Sequence, residues 1–170
     1  MLLTTRWIVT VPVNYTPGQL RDAVGISQET YRHWKKAIAP LRREAGHSPC
    51  FSAGDLLATA IVKILVSDYG MRVSALSALA DGVFGECNSR SWPMLERSMV
   101  VLNIVSEHVA IQTEGSGLIV DTPAMVVPLG KLIESLRRTL LAGDDDGQEM
   151  LRFPPVAQPS APLRRRTGLA

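Results

Sequence analysis

Leu20 and Val24 stand four residues apart, so a helix places both on one face. Thr16 supplies an oxygen to cap that helix. Pro17 fits its first turn, where a backbone N–H has no partner to lose, and Gly25 closes it. Ile26 follows as a buried corner, and Ser27 caps a second helix that carries Tyr31, Arg32, His33, Trp34, Lys35 and Lys36. Leu56, Leu57, Ala60, Ile61, Ile64 and Leu65 recur at three and four, which predicts a long helix over 52–69. Ser52 caps it, with Asp55 as capping-box partner, and Gly70 stops it. Ser74 is expected to cap a fourth helix bearing Ala75, Leu76 and Leu79 and ending near Gly82. The small, polar run 85–92 then reads as a linker.

The pattern changes after residue 98. Residues 99–105 are apolar on both faces and rich in valine, 106–108 suit a turn, and 109–113 alternate. Leu95, Met99, Leu102, Ser106 and Val109 also fit a heptad, so helix and strand compete here, and the valine content favours strand. Residues 114–117 make a second turn, and 118–120 and 125–127 supply further strand. Pro128 stands near the start of a helix with Leu129, Leu132, Ile133, Leu136, Leu140 and Leu141 on a broad apolar face. A sheet this small needs a partner surface, and the leucine-rich helix is expected to offer more apolar area than the sheet covers. The stretch 98–141 is therefore expected to dimerise. Past 142 the chain is rich in aspartate and proline, ends near Arg164, Arg165 and Arg166, and reads as a disordered tail.

Two short helices joined by a glycine turn, the second basic and aromatic, describe a helix-turn-helix whose second helix enters a DNA major groove. Arg32 projects from that helix and offers a fork to phosphate or to guanine O6 and N7. Gln28 and Glu29 start the helix and are placed to face base edges, while Tyr31 and His33 reach backbone or bases. Trp34 belongs to the inner face and braces the pair. Lys35, Lys36, Arg42 and Arg43 neutralise phosphates, the last two from a tight loop beside the helix, where a wing would stand. Thr16, at the head of the first helix, completes the candidate set.

The motifs Tyr15-Thr16-Pro17-Gly18-Gln19-Leu20, Gly25-Ile26-Ser27 and Thr30-Tyr31-Arg32-His33-Trp34, followed by Pro40 and Arg42-Arg43, resemble the winged helix-turn-helix of mercury-resistance-type (MerR-like) regulators. The resemblance spans about residues 14–81. It implies sequence-specific binding to double-stranded DNA as a homodimer on a pseudo-palindrome. The chain departs from the family at Lys35, where an acid is usual, and over 47–51, where only the final ring of the wing is kept.

Composition adds bounds. A hydrophobic content of 46% with 20% charged residues excludes a disordered chain, and 170 residues suffice for one good core or two small ones. The net charge of +2 carries no argument for nucleic acid, but residues 21–43 hold six basic side chains against Asp22 and Glu29. Cys50 and Cys87 stand apart and, with three scattered histidines, make no zinc pattern; no cofactor or metal is expected. The apolar run 7–13 is too short and too interrupted for a signal peptide or membrane span, so a cytoplasmic protein is expected. No nucleophile–base pair, phosphate loop or paired-carboxylate motif points to an enzyme.

The sequence thus predicts an α+β chain: a winged helix-turn-helix over 1–84, a small antiparallel dimerisation sheet with one helix over 93–142, and a tail over 143–170. The expected function is a homodimeric transcriptional regulator. The alternative is a phage or mobile-element DNA adaptor, of the excision-factor or terminase small-subunit kind.

Overall fold

The computed structural model describes residues 13–43, 48–115 and 122–144. It is α+β, with helices α1 (Pro17–Val24), α2 (Gln28–Ala37), α3 (Ala53–Ser67), α4 (Ser77–Ser89), α5 (Trp92–Leu95) and α6 (Gly130–Asp144). Strands β1 (Ser98–Asn103), β2 (His108–Thr113) and β3 (Met125–Pro128) form one antiparallel sheet in the order β2-β1-β3.

The first three helices start where their caps dictate. The Thr16 hydroxyl accepts from the Gln19 N–H at 3.2 Å, and the Gln19 side chain returns the bond to the Thr16 N–H at 2.9 Å. Gly25 takes the left-handed conformation (φ 71°, ψ 49°) and donates to the Arg21 and Asp22 carbonyls, which ends α1 and turns the chain into α2. The Ser27 hydroxyl accepts from Thr30 N–H, and Ser52 and Asp55 cap α3 reciprocally.

The fourth helix differs from expectation at both ends. Ser74 does not cap it but lies inside a 3-10 turn, Val73–Leu76, and its carbonyl accepts from the Ser77 hydroxyl. Nor does the helix end near Gly82: the expected linker is helical as far as Ser89. Ala80, Val83, Phe84 and Cys87 continue a buried stripe at helical spacing, and that burial outweighs two glycines of low propensity. Gly82 serves packing instead. A Cβ there would lie 3.0 Å from a Val109 methyl, so the bare backbone is what lets β2 lie against α4.

Residues 98–103 are strand, as their valine content suggests. Val100 and Leu102 point inward and are fully buried; they pair with Ile111 and Val109 on β2, and with Val127 and Met125 on β3. The Asn103 Oδ1 accepts from the Val105 and Ser106 N–H groups, Glu107 sits at φ 54°, and the chain reverses into β2. Pro128 closes edge strand β3 rather than opening the helix, a position where its missing N–H costs no ladder bond. Gly130 opens α6 beside the Glu96 carbonyl, 2.8 Å from where a Cβ would stand. The expected strand at 118–120, the apolar run 7–12 and the chain from 145 on lie outside the described residues, whereas residues 143 and 144, expected to open the tail, close α6 instead.

The hydrophobic core is continuous along the chain. Leu20 and Val24 of α1 share one cluster with Ile61 and Leu65 of α3, Phe84 of α4, Leu102 of β1 and Ile133 and Leu136 of α6. The apolar stripe of α6 is therefore largely covered by α1 and α3 of its own chain, and the surplus expected for a partner shrinks to Leu141 and the half-buried Leu132 and Leu140.

Both cysteines are free thiols. Burial pushes Cys87 up to about 12, and burial also raises Cys50, with Arg43 opposing. At pH 8 a thiol reagent is expected to titrate Cys50 slowly and Cys87 only after denaturation. Two equivalents reacting at equal rates in the native protein would refute that placement.

Candidate nucleic-acid interface

Helix α2 has two clean faces. Tyr31 and Trp34 are buried, whereas Gln28, Glu29, Arg32, His33 and Lys36 are exposed. These five recur at one and four, so they share one outward stripe. From Gln28 to Lys36 the stripe rises about 12 Å, close to the width of a B-DNA major groove. Lys35 lies at its border, half-buried, with Nζ 5.7 Å from the Tyr31 ring centroid. Trp34 is 3% exposed and braces the helix pair from inside, as its position on the inner face predicts.

Four other sequence-predicted contacts make bonds within the chain. Tyr31 is a core residue: its ring meets Phe51 edge-on at 6.5 Å, and its hydroxyl donates to the Leu41 carbonyl at 3.4 Å. Burial raises its phenol above the ordinary value. The ring is thus withdrawn from any ligand of the outer face. Arg42 folds back on α2 and donates Nε to the Lys35 carbonyl at 2.9 Å and Nη2 to the Lys36 carbonyl at 2.6 Å. It caps the helix end, where a cation also opposes the negative pole of the helix dipole.

Arg43 is held more firmly. Its Nη1 donates to the Cys50 carbonyl and pairs with Asp55 Oδ2 at 3.0 Å, while its guanidinium lies 5.3 Å from the Phe51 ring centroid. Both arginines stay exposed at the surface, with Nε and Nη2 of Arg42 and Nη1 of Arg43 engaged by the chain itself. Thr16 is half-buried and its hydroxyl is engaged in the α1 cap.

The loop beyond α2 is joined to the N-terminal end of the described chain by one antiparallel bridge, Tyr15 to Phe51. Tyr15 N–H donates to the Phe51 carbonyl at 2.7 Å, and the Tyr15 carbonyl accepts from Cys50 and Phe51. Residues 44–47, at the tip of the expected wing, are outside the described residues.

Asp55 is the residue that sequence reasoning undervalues. It is 1% exposed and completely bonded: Oδ2 accepts from the Ser52 N–H at 2.8 Å and faces Arg43, and Oδ1 accepts from Asn88 Nδ2 at 2.9 Å. Asn88 also donates to the Phe84 carbonyl and accepts from the Ser52 hydroxyl. One carboxylate thus ties the head of α3, the basic loop and the end of α4 together. Gly54 beside it admits no side chain, since a Cβ would stand 2.7 Å from the Cys87 carbonyl oxygen. Lys63 adds a second tie, donating Nζ to the Val24 carbonyl at the end of α1.

No family model, curated protein or solved structure matches the chain. Among the described residues no group of three or more His, Cys, Asp or Glu is placed to hold a metal ion, and no helix is long and apolar enough to cross a membrane. The arrangement offers a rigid helix presenting an amide, a carboxylate, a guanidinium, an imidazole and an ammonium along one line. That set can hydrogen-bond base edges and pair with phosphates.

Proposed function

We propose that this protein is a sequence-specific double-stranded DNA-binding regulator that acts as a homodimer, with α2 as its reading helix. The observation that carries the reading is the exposed stripe Gln28, Glu29, Arg32, His33 and Lys36, presented by a helix whose opposite face is locked into the core. The left-handed glycine turn between two capped helices supports it, as does the resemblance to MerR-like regulators in the order of those motifs.

Arg32 is assigned the base contact, and Lys36 and His33 the phosphate and edge contacts. Arg42 and Arg43 brace the loop and, still exposed, are assigned secondary phosphate contacts. The dimer is proposed to form through the end of the sheet where Ile104 and Val105 are exposed, 40% and 88%, beside Met125. Two-fold symmetry would then set two α2 helices about one DNA turn, roughly 34 Å, apart.

Duplexes selected from a random library provide the test. Arg32→Ala is expected to lose about 1–3 kcal/mol on the selected site and almost nothing on a scrambled one, with an unchanged melting temperature. Equal affinity of the wild type for selected and scrambled duplexes would overturn sequence-specific reading. A monomer by light scattering at micromolar concentration would overturn the dimer.

A further inference from the structure

A groove of about 740 Å³ runs between the end of α2, the end of α3 and the 3-10 turn before α4. The ionisable side chains that line it among the described residues are all basic: His33, Lys36, Arg42 and Arg72. No described acidic side chain lines it. Its other wall is apolar, made by Trp34, Val66, Met71 and Val73, with Val66 and Met71 only partly covered. Ser74 and Ser77 also line it.

We infer that this groove binds an amphipathic organic anion, a flat or branched apolar body carrying a carboxylate, sulfonate or phosphate, independently of the DNA stripe but sharing two of its residues. Three observations combine. The volume lies in the range of small-molecule sites, roughly 300–1,000 Å³. The one-signed lining would repel a cation and attract an anion. The carbonyl end of α2, which would otherwise oppose an anion, is already satisfied by the Arg42 guanidinium, which leaves Lys36 and Arg72 to meet the ligand.

The apolar wall decides between ligands. A sugar–phosphate strand gains nothing from Val66 and Met71, whereas an aromatic or branched body buries them. Other cavities fit less well. The one between α1, α3 and α6 is about 230 Å³ and its Lys63 is committed to the Val24 carbonyl. The one beside Trp92 has its Arg137 paired with Glu96.

Where α2 reads DNA, as proposed above, His33 and Lys36 belong to both sites, and ligand and duplex exclude one another. That consequence alone rests on the DNA reading. The binding itself is measured without DNA, on the full chain labelled at its methionine methyls, with Met71→Leu to assign the Met71 signal. The probe is 2-naphthyl phosphate, compared with 2-naphthol and inorganic phosphate. Saturable movement of the Met71 methyl is expected with naphthyl phosphate, at least about tenfold tighter than with either comparison compound, and Arg72→Gln should weaken it about tenfold.

An equal response to inorganic phosphate would reduce the groove to a phosphate contact, and an equal response to naphthol to an apolar patch. Movement that never saturates would remove the site. Each of these overturns the inference. Random duplex at low salt is then expected to displace the probe. Duplex that binds without displacing it overturns the exclusion, whereas a chain that binds no duplex overturns the DNA reading and leaves the Met71 result standing.

Discussion

Asp55→Ala is expected to lower the unfolding free energy by about 2–4 kcal/mol. The cost comes from what is left behind. The Ser52 N–H and the Asn88 amide lose their acceptors, and Arg43 loses the carboxylate that fixes it. Arg43 is 42% exposed, so water recovers part of its loss, which keeps the figure below that of a fully buried pair broken on one side. Asp55→Asn retains the shape and one acceptor oxygen, and should cost clearly less. Urea titration gives the answer as a shift in midpoint at constant slope. A shift equivalent to less than about 1 kcal/mol would show that the carboxylate is dispensable.

Phe51→Ala should cost about 3–5 kcal/mol, the range for emptying a buried aromatic site. The ring is fully buried, meets Tyr31 edge-on, and lies under the Arg43 guanidinium, while its backbone holds Tyr15. Because Phe51 and Asp55 hold Arg43 from two sides, their losses should not add. The double variant is expected to fall short of the sum by 0.5 kcal/mol or more, as about 0.5–3 kcal/mol is usual for residues sharing a partner. Strict additivity would mean that the ring and the carboxylate act on separate parts of the fold.

The local punctuation of this chain is legible because it acts over three or four residues. Thr16, Ser27 and Ser52 cap the helices they precede, Gly25 turns the chain, and Trp34 and Leu20 fall on the faces their spacing assigns. The valine-rich strand is legible too, once composition breaks the tie that periodicity leaves. What is hidden acts across the chain. Gly82 and Gly85 look like an ending, yet Phe84 and Cys87 find partners that only the fold supplies.

Tyr31 sits in a basic, aromatic run that suggests a ligand contact. Nothing nearby reveals that its hydroxyl answers Leu41, ten residues on. Arg42 and Arg43 show the same limit: sequence counts their charge, but their partners decide what it does. Asp55 is legible as a cap and not as a junction, since Asn88 is 33 residues away.

The placement of α6 has a consequence for how the protein comes into being. This helix covers α1 and α3, so an element late in the described chain completes the packing of the first one. During synthesis at roughly 5–20 residues per second, the helix pair leaves the ribosome several seconds before α6 does. Throughout that interval Val24, Ala60 and Ile64 face water without Leu132 and Leu136 above them. A nascent chain arrested before α6 would present this bare surface to chaperones, and release would come with α6 rather than with the helix pair. The synthesis of α6 is then the moment at which α1 and α3 gain their cover.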